Sequence, residues 1–211
     1  FNTDYLQIFQ RSLLLSLLTT AGCLLIGFPT ALYLALQSER KRNLLLFLVT
    51  VPFWTNLLVR TYAWILLLRN GGLVDAGLQG VGLTEQPLGL LYTDTAVIIG
   101  LLYCFLPFMV LPIYTSLEKL DWRLVEAAFD LGANRFQALK RIIIPLAMPG
   151  IIAGVMLVFI PSLGNYIIPE LLGGGKSLML GNLIQLQFGS SHNWPFGAAL
   201  AFALLSLVLL A

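Results

Sequence analysis

Within its long apolar runs this chain has no aspartate, glutamate, histidine or lysine, and a single arginine, Arg60. Channels and ion-coupled carriers commonly place ionisable groups inside the membrane as relays or ligands, so their absence argues against both and leaves energy input to a partner. Charge is scarce everywhere: 10% of the residues are acidic or basic, where a soluble domain carries about a quarter. His192 is the one histidine, which excludes a histidine-based metal cluster within this chain. Both cysteines, Cys23 and Cys104, lie in apolar runs and read as small buried hydrophobes, with neither disulfide nor metal implied. No serine sits in a nucleophile-elbow context, so an enzyme reading has little support. Gly173-Gly174-Gly175-Lys176-Ser177 approximates a phosphate-binding loop, but Glu170 stands where the first glycine is required, so no cofactor, ATP included, is expected on this chain. The net charge of +2 comes from basic residues beside apolar runs rather than in a patch, and a nucleic-acid partner does not follow.

What the chain does have is hydrophobic length: 58% apolar residues and a mean hydropathy of +0.88 over 211 residues. Membrane helices need about 20 apolar residues each, so several spans fit in one all-α, polytopic membrane domain, 1–211. Five runs qualify: Leu13–Leu36, Leu44–Leu68, Thr95–Leu117, Pro145 to about Ile168, and Pro195–Ala211. Gly27 and Pro29 are bend points in the first, Pro107 and Pro112 kink points in the third. Gly150 and Gly154 form a GxxxG pair whose default meaning is close helix packing. Short helices are expected at Leu73–Leu78 and Ser177–Phe188. Arg60 should snorkel or face protein, and two roles stay open for it, translocation path or subunit packing. The chain starts without methionine and stops inside an apolar run, so it is expected to be part of a longer protein, truncated at both ends.

The interval 117–145 interrupts this pattern. With Glu118 it holds five of twelve basic residues and four of ten acidic ones. Asp121 can cap a first helix, on which Leu124, Ala127, Ala128 and Leu131 share one side. Gly132 suits the helix end, because a left-handed conformation is cheap only without a Cβ. Asn134 can cap a second helix, Arg135 to Ile144, with Pro145 opening the next element. The segments 38–43 and 118–141 carry eight of the twelve basic residues and fall on one side if every run spans, so the positive-inside rule places both in the cytoplasm.

Glu126-Ala127-Ala128, then Gly132, then Ile142-Ile143-Ile144-Pro145 resembles the EAA signature of permease subunits of ABC importers, with Ile144 where that family usually has leucine. Further stretches, VPFWTNLLVRTYAW (51–64), LPFMVLPIYTSLEKLD (106–121), PELLGG (169–174) and NWPFGAA (193–199), are similar to permeases of spermidine/putrescine importers. PFWTN leans to one of two sister subfamilies and RTYAW and PELLGG to the other. The resemblance implies a type I importer bundle, five spans here and six in a full chain, in a bacterial inner membrane. It implies as partners a dimer of ATPase subunits holding ATP and Mg, a second homologous permease and an extracytoplasmic polyamine-binding protein. It also implies that Glu126, Ala127, Ala128 and Gly132, rimmed by Arg123 and Asp130, dock the ATPase, while alternating access carries the cargo.

A polycation needs carboxylates or aromatic faces along its path. Trp54, Tyr103, Asn165, Tyr166 and Glu170 are the candidates here, against core packing for the two tyrosines and an exposed loop charge for Glu170. The absence of acidic residues within the spans means that a sister subunit supplies the negative charge, or that the cargo is another solute, organic or iron(III).

Overall fold

The computed structural model describes residues 3–82, 86, 88–175 and 178–210, and among these every regular element is helical. Lys176 and Ser177 of the phosphate-loop look-alike, and Ala211, lie outside the described residues. α1 (Thr3–Ala35) is a single helix that takes in the polar N-terminal stretch as well as the first apolar run. α2 (Glu39–Thr50) follows a short turn and runs into a tight helical turn at Val51–Trp54. α3 (Leu57–Leu68) comes next, and α4 (Leu73–Gly80) realises the short helix expected there. α5 (Asp94–Glu118) stays one helix through Pro107 and Pro112.

The second run is therefore not one continuous helix, as its hydropathy suggests: the chain leaves helical geometry between Trp54 and Leu57. Pro52 has no N–H to extend α2, and Asn56 starts a new helix by accepting the Leu58 N–H at 2.8 Å. Three helical stretches, Tyr5–Ala35, Asp94–Glu118 and Arg135–Gly164, are long and apolar enough to cross a membrane, and the pair Glu39–Trp54 and Leu57–Gly80 makes a fourth if it forms one broken span rather than a re-entrant loop. The fifth expected span corresponds to α11 below, whose apolar stretch Trp194–Ser206 is shorter than a full crossing.

α6 (Arg123–Asp130) and α7 (Arg135–Ala138) make up the charged interval. The second helix does not stop at Ile144. It passes through a widened π turn at Leu139–Ile143 directly into α8 (Ile144–Gly164). The Ile144 N–H reaches back five residues to the Leu139 carbonyl. A proline ring collides with the carbonyl four residues earlier, and a widened turn just before Pro145 is where that collision is absorbed without ending the helix. α9 (Ile167–Gly173), α10 (Leu180–Phe188) and α11 (Trp194–Leu210) complete the chain.

The chain divides into two compact units, 1–19, 55–104 and 159–211 in one, 20–54 and 105–158 in the other. In the second, glycine sets the packing distance. A Cβ at Gly27 would sit 2.9 Å from Met109 Cγ, and one at Gly154 2.8 Å from Met109 Sδ, so α1 and α8 both approach α5 where they lack side chains. The GxxxG pair thus packs as expected. In the first, Gly100 of α5 receives Ile168 and Leu172 of α9 in the same way. Cys23 and Cys104 are buried, and neither is in a disulfide among the described residues.

Candidate coupling surface and cargo contacts

The 117–145 interval is built by local capping, each end closed by residues a few positions away. The Arg123 N–H donates to Asp121 Oδ1 at 3.1 Å, starting α6. At its far end the Ala133 N–H returns to the Ala128 carbonyl and the Gly132 N–H to the Phe129 carbonyl, both at 2.9 Å. That pair of bonds is a Schellman closure, and it requires a left-handed residue, supplied by Gly132 at φ +85°. Asn134 and Gln137 then form a reciprocal capping box, with bonds of 2.8 and 2.9 Å.

These caps hold a fold that presents its apolar side outward. Only Val125 of α6 is buried, while Leu124, Ala127 and Leu131 face out and Ala128 is half-buried. Leu131 is 89% exposed and Phe136 70%. Contiguous exposed apolar groups rimmed by charge mark an interaction surface. Arg123, Glu126, Asp130 and Gly132 are exposed on the same interval. Glu126 borders a groove of about 520 Å³ with Leu32, Leu36, Trp122 and Phe129. Ala128 and Gly132 border another of about 400 Å³ with Leu131 and Arg141.

The base of this surface is tied to the first basic turn. Glu118 Oε1 accepts the Tyr114 hydroxyl at 2.7 Å and lies 3.8 Å from Arg42 Nη1. The segments 38–43 and 118–141 therefore begin at the same end of this unit, as the charge pattern requires.

Four of the five candidate cargo residues lie in the other unit. Trp54 belongs to the unit with the coupling surface, 77% exposed and edge-on to Phe47 at 5.8 Å. Tyr103 packs edge-on against Trp64 at 5.6 Å, part core and part surface. Arg60 on α3 turns toward protein, with Nε and Nη1 buried and without a hydrogen-bond partner among the described residues. Asn165 spends its carbonyl on the Ile168 N–H at 3.0 Å, opening α9, so its role in this structure is a cap. Tyr166 is exposed, and Glu170 projects from α9 rather than from a loop.

Tyr166 and Glu170 meet at a residue that the sequence pattern does not single out, Asn182. Its side-chain amide is buried and donates to the Tyr166 carbonyl and to Glu170 Oε2, both at 2.9 Å. Its Oδ1 accepts the Met179 N–H at 3.2 Å at the start of α10. A polar residue at the third position of a helix in an apolar stretch signals a cap, but the partners 12 and 16 residues away leave no local trace.

Residues 25–211 match the family described as binding-protein-dependent transport system inner membrane component, and the chain belongs to that family, a multi-pass component of the bacterial inner membrane. It is 49% identical over 210 residues to the spermidine/putrescine transport system permease protein PotB of Haemophilus influenzae, an alignment spanning 100% of this chain and 73% of that protein. With the PotB permease of Escherichia coli it shares 48% identity over 200 residues, 95% of this chain and 73% of that one. The fold is that of an ABC transporter permease: a chain of a bacterial alginate ABC transporter, solved with its alginate-bound periplasmic protein, superposes with a TM-score of 0.73 at 18% identity over 99% of this chain and 76% of its own.

Proposed function

We propose that this chain is the permease subunit of an ATP-driven importer that moves polyamines, spermidine or putrescine, into the cytoplasm by alternating access. The observation that carries the cargo assignment is the 49% identity to a spermidine/putrescine permease along the whole chain. The energy enters elsewhere: ATP and Mg are held by a dimer of partner ATPase subunits, which dock on Glu126, Ala127, Ala128 and Gly132 with Arg123 and Asp130 at the rim. A second homologous permease completes the membrane pair, and an extracytoplasmic binding protein delivers the polyamine. ATP drives the cycle only if the closed ATPase dimer binds one permease state better than the other. A rigidly capped surface element suits that task, since movement of the ATPase is passed on rather than absorbed.

The lack of carboxylates in the apolar runs favours a second reading, an importer of the same kind for another small solute, organic or iron(III). One experiment separates the two. ATP hydrolysis by the reconstituted complex with its binding protein is measured over spermidine, putrescine and chemically unrelated solutes. Stimulation by a polyamine is the expected result. Stimulation by another solute alone would keep the importer and discard the polyamine, and failure of any ATPase subunit to co-purify would remove the coupling assignment.

A further inference from the structure

Several polar groups around α9 and α10 are tied down inside the protein. The Leu180 N–H donates to Ser12 Oγ of α1 at 2.8 Å, and the Tyr92 N–H to the Leu172 carbonyl at 2.9 Å. A Cβ on Gly181 would stand 2.8 Å from the Asn165 carbonyl oxygen, so α10 is seated hard against the end of α8. Asn165 caps α9, and Asn182, 1% exposed, has both amide hydrogens and its oxygen committed. Glu170 is held differently. Its carboxylate is held through Oε2 by a neutral amide, and among the described residues no basic side chain lies in ion-pair range of it. A buried amide that bonds one oxygen narrows the rotamers of the carboxylate, and Oε1 has no hydrogen bond to the described residues. The exposed ring of Tyr166 lies one helical turn before it.

We infer that Asn182 is a positioning residue for cargo: it aims the Glu170 carboxylate to receive a terminal ammonium group of the polyamine, with the Tyr166 ring as a neighbouring cation face. The inference rests on the polyamine reading above. An ammonium on a fixed carboxylate gains a charge-assisted bond without ordering the carboxylate first, which is how preorganisation adds to affinity. It also answers the missing acids of the spans, because the carboxylate stands next to the apolar runs instead of within them.

The test uses the complete importer in proteoliposomes and labelled spermidine, with Glu170→Gln, Asn182→Asp and their double variant. Asn182→Asp keeps the oxygen that caps α10 and loses the amide hydrogens that hold Glu170. Co-purification of the ATPase subunit with each variant verifies assembly. Each single variant is expected to lower spermidine uptake about tenfold, the effect of losing one charge-assisted bond. The double variant should be no worse than Glu170→Gln alone, because Asn182 has nothing left to aim. Multiplying losses in the double variant would make Asn182 a structural residue and overturn the inference. Full uptake by Glu170→Gln would overturn it as well, with the polyamine reading left standing. Wild-type importer that takes up no polyamine would overturn both.

Discussion

A methyl group on Gly150 would run into the Pro112 carbonyl oxygen and stand 2.5 Å from Ser116 Oγ, so α8 meets α5 there backbone to backbone. Nothing on either side can give way cheaply, because one neighbour is the main chain of a proline-containing helix. Gly150→Ala is therefore expected to destabilise the protein by about 1–3 kcal/mol, the usual cost of overpacking. Gly77 makes the contrast. It lies inside α4, where an added Cβ would find nothing within 4 Å and no unusual φ, so Gly77→Ala should be neutral or stabilise by roughly 0.5–1 kcal/mol. Thermal unfolding of the two variants in nanodiscs reads both signs, and equal behaviour would remove Gly150 from the packing seam. The spacing of Gly150 and Gly154 made this contact legible in the sequence. Asn182 was not legible, since its meaning depends on Glu170 and Tyr166, which only the fold brings to it.

The element whose construction could be read best is the candidate coupling interval, 117–145, because caps are local: Asp121, Gly132 and Asn134 each act within five residues of themselves. The two places where the structure adds to the sequence reading were set by other forces. Hydropathy runs straight through Pro52 and Asn56, whereas the helix breaks there and restarts at Leu57. Pro145 stands in the first turn of α8 as expected, but a π turn joins that helix directly to the one before it. These facts bear on Gly132. Alanine at φ +85° costs about 1 kcal/mol in backbone strain and meets no neighbour, so Gly132→Ala should couple nearly normally. Proline cannot reach that φ and has no N–H for the Phe129 carbonyl, so Gly132→Pro breaks the Schellman closure and lets the angle between α6 and α7 change. The expected outcome is a protein that inserts and assembles in the membrane but has lost most polyamine uptake. Uptake measured beside membrane abundance separates the two, and normal uptake by the proline variant would detach this interval from coupling.

For the whole molecule, sequence pattern carried the class but not the seating of distant segments. Ser12 and Leu180 stand 168 residues apart and share a buried hydrogen bond that no periodicity announces. The proposed sidedness rests on charge totals: eight of twelve basic residues fall in two segments that the Arg42–Glu118 pair brings to one end of their unit. Such a partly exposed pair adds little stability, so its weight here is positional. Leu131 tests the assignment, being 89% exposed at the tip of the coupling interval, while Cys23 and Cys104 are buried and should react slowly. With Leu131→Cys, a membrane-impermeant maleimide is expected to label inverted vesicles and spare right-side-out ones. Labelling should fall sharply once the ATPase subunit is bound, because the apolar side of α6 is then covered. Reaction in right-side-out vesicles would reverse the topology. Labelling that the ATPase subunit leaves unchanged would keep the topology and place the docking surface elsewhere on the cytoplasmic side.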